Sequence, residues 1–181
     1  MALKYVNTGI VFQEIPDEVS LAISLTNCPN HCPGCHSPQL WRDEGHVLDR
    51  EALKEILARY KGYVTCCCLM GGDNDPDAVV ETARAIHQLS SFKVAWYSGR
   101  NFLPSEPQLF QYVKLGPYRS DLGGLKSPHT NQRMYRNVDG QFVDITPTFW
   151  RDHLLNEALS QSRQPVEVHH KPSLEFAKTK H

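Results

Sequence analysis

Residues 28–35 read Cys28-Pro29-Asn30-His31-Cys32-Pro33-Gly34-Cys35, and no other stretch says as much about the chain. Three thiolates this close in sequence can hold three irons of a 4Fe-4S cluster and leave the fourth iron without a protein ligand. Clusters that only transfer electrons normally take four cysteines. An incomplete protein shell, as at a catalytic zinc, leaves a position for chemistry. The spacing therefore predicts a cluster at Cys28, Cys32 and Cys35 whose last iron binds a substrate or cofactor.

The cysteine loop is open to two other interpretations. A zinc site could use the same cysteines with His31 or His36, but structural zinc usually draws on two ligand pairs separated by a longer loop, and no second pair follows. A disulfide is disfavoured because no secretory signal is visible and cytosolic thiols are kept reduced.

The length of the chain predicts one domain, and its N-terminal residues predict a cytoplasmic protein. The chain has 181 residues, enough for one core, and its 19 basic and 20 acidic residues are mixed along the sequence. This balance does not favour nucleic acid as a partner. Charged residues interrupt the apolar positions of residues 1–25, so that segment is neither a signal sequence nor a membrane span. We expect a cytoplasmic protein that does not contact membranes.

The end of the chain changes character. We assign residues 1–160 to the domain, whereas residues 161–181 lack a regular apolar pattern and are predicted to form a flexible tail. His169 and His170 could bind a metal, although such a pair is more often only solvated.

Strands and helices are predicted to alternate along most of the chain. Asp49 and Asp75 are candidate helix caps, the first for a helix ending near Gly62 and the second followed by Pro76. A further helical element is expected from Ser37, and a C-terminal helix after a hairpin at Asp139-Gly140. Strands are expected at residues 19–25, 63–70, 92–97 and 109–114, and in the hairpin at residues 133–138 and 141–145. The pattern predicts an α/β fold. If the first four strands are parallel, the loops that follow them share one edge, where α/β proteins bind ligands.

Three consecutive cysteines lie in the second of these strands. Neighbouring side chains of a strand point to opposite faces, so Cys66, Cys67 and Cys68 cannot jointly hold one metal. We interpret them as small core residues.

Several motifs occur in the order seen in one family. The chain resembles the radical S-adenosylmethionine (SAM) enzymes and, among them, the activating proteins of anaerobic ribonucleoside-triphosphate reductases, over residues 5–150. The motifs that carry the resemblance are the cysteine loop from Asn27 to Trp41, Met70-Gly71-Gly72-Asp73, Trp96-Tyr97-Ser98-Gly99-Arg100, Lys114-Leu115-Gly116-Pro117-Tyr118 and Thr130-Asn131-Gln132-Arg133. The resemblance implies a partial, open (β/α) barrel with a C-terminal hairpin and helix.

The same resemblance implies site residues. Cys28, Cys32 and Cys35 would ligate the cluster, whose open iron SAM would chelate. The loop formed by Gly71, Gly72 and Asp73 would receive the SAM amino group, the glycines allowing close approach of the backbone. Lys114 would face the SAM carboxylate, Tyr97 and Ser98 would border the ribose, and His36 would shield the cluster or face the adenine. On the sequence alone, Lys114 could equally be a surface charge and Tyr97 a core aromatic.

Two positions depart from the wider superfamily. Many radical SAM enzymes have an aromatic residue before the third cysteine, where this chain has Gly34, and many have glutamate at the position of Asp73. Both departures affect the contacts expected with the adenosyl group.

The resemblance further implies a reaction and partners. SAM would be cleaved reductively to methionine and a 5′-deoxyadenosyl radical, which would take a hydrogen atom from a glycine of the reductase catalytic subunit. A low-potential donor such as flavodoxin or ferredoxin would supply the electron. A radical SAM enzyme with another substrate, or a zinc-stabilised interaction module, are the alternatives.

Overall fold

A computed structural model describes residues 3–151, 154 and 155 of the chain. Within these residues, short 3-10 helices are present at Pro38–Trp41, Pro107–Leu109 and Thr146–Trp150. The strands and α-helices are β1 (Lys4–Val11), β2 (Ser20–Leu25), β3 (His46–Val47), α1 (Arg50–Tyr60), β4 (Cys66–Met70), α2 (Pro76–Leu89), β5 (Lys93–Tyr97), β6 (Tyr112–Leu115), β7 (Arg133–Val138) and β8 (Gln141–Asp144).

The strands form one open sheet in the order β3-β1-β2-β4-β5-β6-β7-β8. β2, β4, β5 and β6 are parallel, which meets the condition for their following loops to share one edge, and the flanking strands on both sides are antiparallel. A mixed α/β fold is therefore confirmed. The sheet does not close, and the partial barrel of the radical SAM type stays a prediction.

Both α-helices begin where their caps predict. The Asp49 carboxylate accepts a 2.9 Å hydrogen bond from the Ala52 amide, and Asp75 accepts a 3.1 Å bond from Ala78. α1 and α2 then bury apolar faces in a core that they share with the sheet. Its members include Leu53, Ile56, Leu57, Val79, Val80, Ala83, Ile86, Leu21, Ile23, Leu69, Val94 and Trp96.

The three consecutive cysteines alternate between two cores, which confirms their interpretation as packing residues. Cys67 lies in the helix-side core, whereas Cys66 and Cys68 pack with Ile15 and Met134 on the other face of the sheet. Burial raises the pKa of Cys66 to about 12 and raises the pKa values of Cys67 and Cys68 as well. These thiols are therefore inert at neutral pH.

A buried carboxylate joins the amino-terminal ends of the parallel strands. Glu18 precedes β2 and is 7% exposed. It accepts hydrogen bonds of 2.6 Å from Thr65, 2.5 Å from Lys93 and 2.9 Å from Tyr112, which stand at the starts of β4, β5 and β6. This anchor fixes the amino-terminal ends of the parallel strands.

Some predicted elements differ from the structure. β1 and β3 were not predicted, and the helical element expected from Ser37 is only the turn Pro38–Trp41. Its N-cap Ser37 makes no side-chain capping bond and the turn buries no residue, so nothing supports a longer helix. Of the C-terminal helix predicted from Thr146 to Leu159, residues 146–150 form a 3-10 turn and Arg151, Leu154 and Leu155 are helical. Its other residues lie outside the described residues, as do the predicted tail, His169 and His170. Within the described residues, no helix is long and apolar enough to span a membrane.

Candidate functional site

The cysteine loop leaves β2 through backbone conformations that few residues adopt. Asn27 and His31 have φ values of 60° and 43°. The loop folds back on the following turn, because the Asn27 amide donates to the Arg42 carbonyl at 2.9 Å and the Cys28 amide donates to Leu40 at 3.0 Å. This return brings the three half-buried, unbridged cysteines to the carboxyl edge of the sheet.

A cavity of about 150 Å³ lies where the cysteine loop meets the loops after β4, β5 and β6. The arrangement follows from the parallel order of those strands, whose carboxyl ends share an edge. The cavity is lined by Cys28, Asn30, Cys32, Cys35, Trp41, Gly71, Asp73, Tyr97, Ser98, Gly99, Lys114, Gly116, Tyr118 and Gln132. The structure thus places every sequence-predicted site residue except Gly72 and His36 on this cavity.

Asp73 organises the cavity wall. Its carboxylate, 2% exposed, accepts a 2.6 Å hydrogen bond from the Ser98 hydroxyl and a 2.7 Å bond from the Gly99 amide. The Asn30 side-chain amide donates to it at 2.5 Å, and Arg100 donates to the Asp73 backbone carbonyl at 2.7 Å. One carboxylate therefore joins the cysteine loop to the loops after β4 and β5. The Asp73 carboxylate oxygens are thus engaged by contacts within the protein.

The two glycines before Asp73 serve different purposes. Gly71, at φ 103°, lines the cavity, and its carbonyl accepts a 2.8 Å hydrogen bond from the Trp96 indole. Gly72, at φ 85°, faces the core: a Cβ there would lie 2.5 Å from Cγ2 of Val79 and 3.0 Å from Cδ1 of Leu25. The chain needs glycine at position 72 for packing as well as for backbone conformation.

Lys114 is 8% exposed, so the interpretation of this residue as a surface charge is wrong. Its ammonium group donates to the Gly116 carbonyl at 2.7 Å and to the Ser98 carbonyl at 3.4 Å. Burial lowers the pKa of Lys114 to about 8, against the opposing pull of Asp73 and the three loop cysteines. The site thus holds a buried cationic donor beside the cysteines.

A larger cavity of about 530 Å³ adjoins the first. Cys35, Tyr97, Lys114, Tyr118 and Gln132 line both cavities. His36, Glu14, Lys126, Leu125 and Phe149 complete much of the larger one.

Tyr97 is both a core aromatic and a cavity residue. Its ring packs against the core around Cys66 and Cys68, and its hydroxyl donates to the Glu14 carbonyl. The two sequence interpretations of Tyr97 are therefore compatible.

An aromatic side chain reaches the cysteine loop from another part of the chain. The Tyr118 ring lies 4.9 Å from the ring of His36 and would stand 3.6 Å from a Cβ at Gly34. Tyr118 thus approaches Gly34, the residue before the third cysteine. His36 faces Tyr118 and the larger cavity.

Sequence reasoning missed Asn30, Tyr118 and Gln132 as individual cavity residues. Gln132 is 6% exposed, lines both cavities and donates to the Gly116 carbonyl at 3.4 Å. All three lie in the motifs that carry the family resemblance, and this membership was the one sequence feature that could have identified them as cavity residues. Residue type alone did not separate them from their neighbours.

The donor set fits a 4Fe-4S cluster. Three thiols converge on one cavity, and two of the sulfurs already accept hydrogen bonds: Cys35 Sγ from the Ser37 amide at 3.4 Å and Cys28 Sγ from Asn30 at 3.6 Å. Over the described part of the chain, no three His, Cys, Asp or Glu side chains are grouped to hold a single metal ion. In a cluster each cysteine binds a different iron, so its sulfurs stand further apart than the ligands of one ion.

Comparison with known families agrees with this chemistry. Residues 19–107 match the family model of the 4Fe-4S single cluster domain. This match supports a 4Fe-4S cluster domain over residues 19–107 and hence an iron-sulfur protein. The matched part of the cluster domain includes all three loop cysteines, Gly71 to Asp73 and Ser98, and ends before Lys114. No curated protein and no solved structure matched the chain.

Proposed function

We propose that the protein is a radical SAM activase that generates a glycyl radical on anaerobic ribonucleoside-triphosphate reductase. One observation carries the proposal: the three loop cysteines, the Gly71 to Asp73 loop and buried Lys114 border a single cavity at the carboxyl edge of four parallel strands. A cluster domain at this edge, with polar groups facing it, suits a cluster that binds a small zwitterion at its open iron.

The cluster bound at Cys28, Cys32 and Cys35 would supply one electron to SAM, breaking the C5′–S bond to give methionine and the 5′-deoxyadenosyl radical. The role of the protein would be to position SAM beside the cluster and to exclude water from the site. Gly71 has no side chain, so a ligand can approach its backbone closely. The Lys114 ammonium group would pair with the SAM carboxylate. Asp73 and Ser98 hold the two loops together around the methionyl group.

The 5′-deoxyadenosyl radical would meet its substrate in the larger cavity. Tyr97, Tyr118, Leu125 and Phe149 present aromatic and apolar surface there. Such surface keeps bulk water away from a reactive radical until its substrate arrives. We propose that the glycine segment of the reductase enters this cavity, and that 5′-deoxyadenosine and the glycyl radical are the products. A low-potential protein such as flavodoxin or ferredoxin would be the electron donor, and the chemistry requires neither nucleic acid nor a membrane.

The test combines the protein, reconstituted under anaerobic conditions, with SAM, a strong reductant and the cognate reductase. We expect 5′-deoxyadenosine together with a glycyl-radical doublet in the EPR spectrum. Changing the reductase glycine to alanine is expected to abolish the doublet while leaving cluster content and SAM binding unchanged.

Other outcomes separate the alternatives. SAM cleavage without a radical on a competent reductase, but with conversion of another protein or a small molecule, would retain radical SAM chemistry and reject the reductase as the substrate. A colourless, zinc-loaded protein from strictly anaerobic purification would reject the cluster itself.

A further inference from the structure

Asn30 stands between the first cluster cysteine and the central carboxylate of the site. Its side-chain nitrogen lies 2.5 Å from Asp73 Oδ2 and 3.6 Å from Cys28 Sγ. Both neighbours are acceptors, so the NH₂ end of the amide must face them, and its two hydrogens suffice for one bond to each. No other residue of the described chain is bonded to both of these side chains.

The space that Asn30 occupies exists because residue 99 has no side chain. A Cβ at Gly99 would lie 2.3 Å from Asn30 Nδ2, 2.9 Å from its Cγ and 3.2 Å from Asp73 Oδ2. Gly99 does not have the left-handed backbone that favours glycine. Alanine at position 99 would therefore leave the backbone unstrained and displace the movable Asn30 amide.

A hydrogen bond to a cluster thiolate changes the energy of the two oxidation states unequally. Reduction adds negative charge to the cluster and its ligands, so a donor on sulfur stabilises the reduced state more and raises the reduction potential. The nearby Asp73 carboxylate has the opposite effect, and Asn30 lies between the two negative groups. The Asn30 amide is therefore placed to weaken the effect of the Asp73 carboxylate on the reduction of the cluster.

We propose that Asn30 is a positioning residue that links Cys28 to Asp73 and raises the reduction potential of the cluster, and that Gly99 provides the space for this link. The inference rests only on the cluster part of the proposed function. SAM and the reductase play no role in it.

The experiment compares midpoint potentials of the reconstituted full-length protein, measured from the EPR signal of the reduced cluster. Asn30→Leu removes both donors at similar volume, and Gly99→Ala displaces the amide while Asn30 is retained. Each is expected to lower the ratio of reduced to oxidised cluster about tenfold at a fixed solution potential, which is about 59 mV for one electron. Because both changes break the same link, the double variant should shift no further than either single one.

Two matched variants control for unrelated effects. Asn101→Leu makes the same change at an exposed position, and Gly9→Ala adds a methyl group where no atom lies within 4 Å. Both should leave the potential unchanged. In the unaltered protein, ¹⁵N in asparagine side chains should couple magnetically to the reduced cluster, and this coupling should disappear in Asn30→Leu.

The outcomes keep the inference and the proposed function apart. Unchanged or raised potentials in cluster-loaded Asn30→Leu and Gly99→Ala, additive shifts in the double variant, or no ¹⁵N coupling would overturn the role of Asn30. If the cluster forms and the potentials shift as expected but SAM is not cleaved, the role of Asn30 stands and the activase function fails. If the unaltered protein takes up no cluster, both fail.

Discussion

The Ser98 hydroxyl donates a 2.6 Å hydrogen bond to Oδ1 of Asp73, and both side chains are only 2% exposed. Ser98 follows β5 and Asp73 follows β4, so this bond connects the ends of two neighbouring strands. The same hydroxyl accepts a 3.0 Å bond from the Arg100 amide. These bonds hold the carboxyl edge of the sheet in one arrangement, which would lower the ordering cost of binding a ligand there.

Ser98→Ala is expected to weaken SAM binding roughly fivefold to tenfold, since loss of a hydrogen bond to a charged group leaves the buried Asp73 carboxylate less well held. Cluster content should not change, because Ser98 contacts no cysteine sulfur among the described hydrogen bonds. Anaerobic calorimetry with the reconstituted protein measures the affinity. Ser105→Ala, at an exposed position on the same connection, is the control. Equal affinity in all three proteins would show that the Ser98 bond is not used in binding.

Alanine at Cys28, Cys32 or Cys35 is expected to abolish a stable 4Fe-4S cluster, because each thiolate is predicted to bind a different iron. Alanine at Cys66, Cys67 or Cys68 removes a fully buried thiol that lines neither of the two site cavities, so iron content should be retained. Iron and sulfide analysis with absorption spectroscopy makes the comparison. Full cluster loading of Cys32→Ala would contradict the assignment.

Gly72 and Gly62 allow backbone strain to be separated from packing. Both have a φ of 85°, but a Cβ at Gly62 meets no atom within 4 Å, whereas one at Gly72 would lie 2.5 Å from Val79. Gly62→Ala is expected to cost about 1–2 kcal/mol of the free energy of unfolding. Gly72→Ala should cost about 1–3 kcal/mol more, because the core must also shift. Denaturant unfolding gives both values, and equal costs would refute the packing argument.

Glu18 is expected to make the stability of the protein depend on pH in the acid range. Burial by itself would raise the pKa of Glu18, but hydrogen bonds from Lys93, Thr65 and Tyr112 outweigh it and hold the pKa below the ordinary value of 4.5. A depressed pKa contributes stability that is fully present above the unfolded value and is lost as pH falls through the folded one.

Glu18→Gln should therefore destabilise the protein at pH 7 by roughly 1–3 kcal/mol and flatten the loss of stability below about pH 4.5. The value is expected toward the low end, because Lys93 is 47% exposed and can be hydrated without its partner. Glu51→Gln removes an exposed carboxylate of α1 and should have little effect at either pH. Denaturant unfolding at several pH values tests the pair, and parallel pH profiles for Glu18→Gln and the unaltered protein would contradict the role of Glu18.

The sequence predicted the elements whose residues have one strong pattern. α1 and α2 have capping aspartates and regular apolar faces, and β4 is a continuous apolar run. β1 was missed because Asn7, Thr8 and Gly9 interrupt its apolar residues, and its pairing with β2 includes a register shift. Such strands are stabilised by their neighbours, which a local pattern does not show.

The candidate site also contains residues that local sequence predicts and residues that only tertiary contacts bring there. The three loop cysteines could be proposed as cluster ligands from their spacing alone, because they lie in one short loop, and this role stays a prediction. The sequence left open whether Lys114 is a site residue or a surface charge, because its burial depends on β7 pairing beside β6. Asn30, Tyr118 and Gln132 owe their positions to contacts between loops far apart in sequence. Tertiary structure, not residue type, brings them to the cavity.

The six cysteines form a buried group in β4 and an accessible group in the loop, and the two groups should respond differently to oxygen. The thiols of β4 are fully buried, and the raised pKa values keep them protonated, so oxidants find little thiolate there. The loop cysteines are the accessible ones, at the opposite end of the sheet from the Glu18 anchor. Exposure to air is therefore expected to destroy the cluster while the sheet and its anchor stay intact. A thiol reductant with fresh iron and sulfide would then restore the centre without refolding the chain.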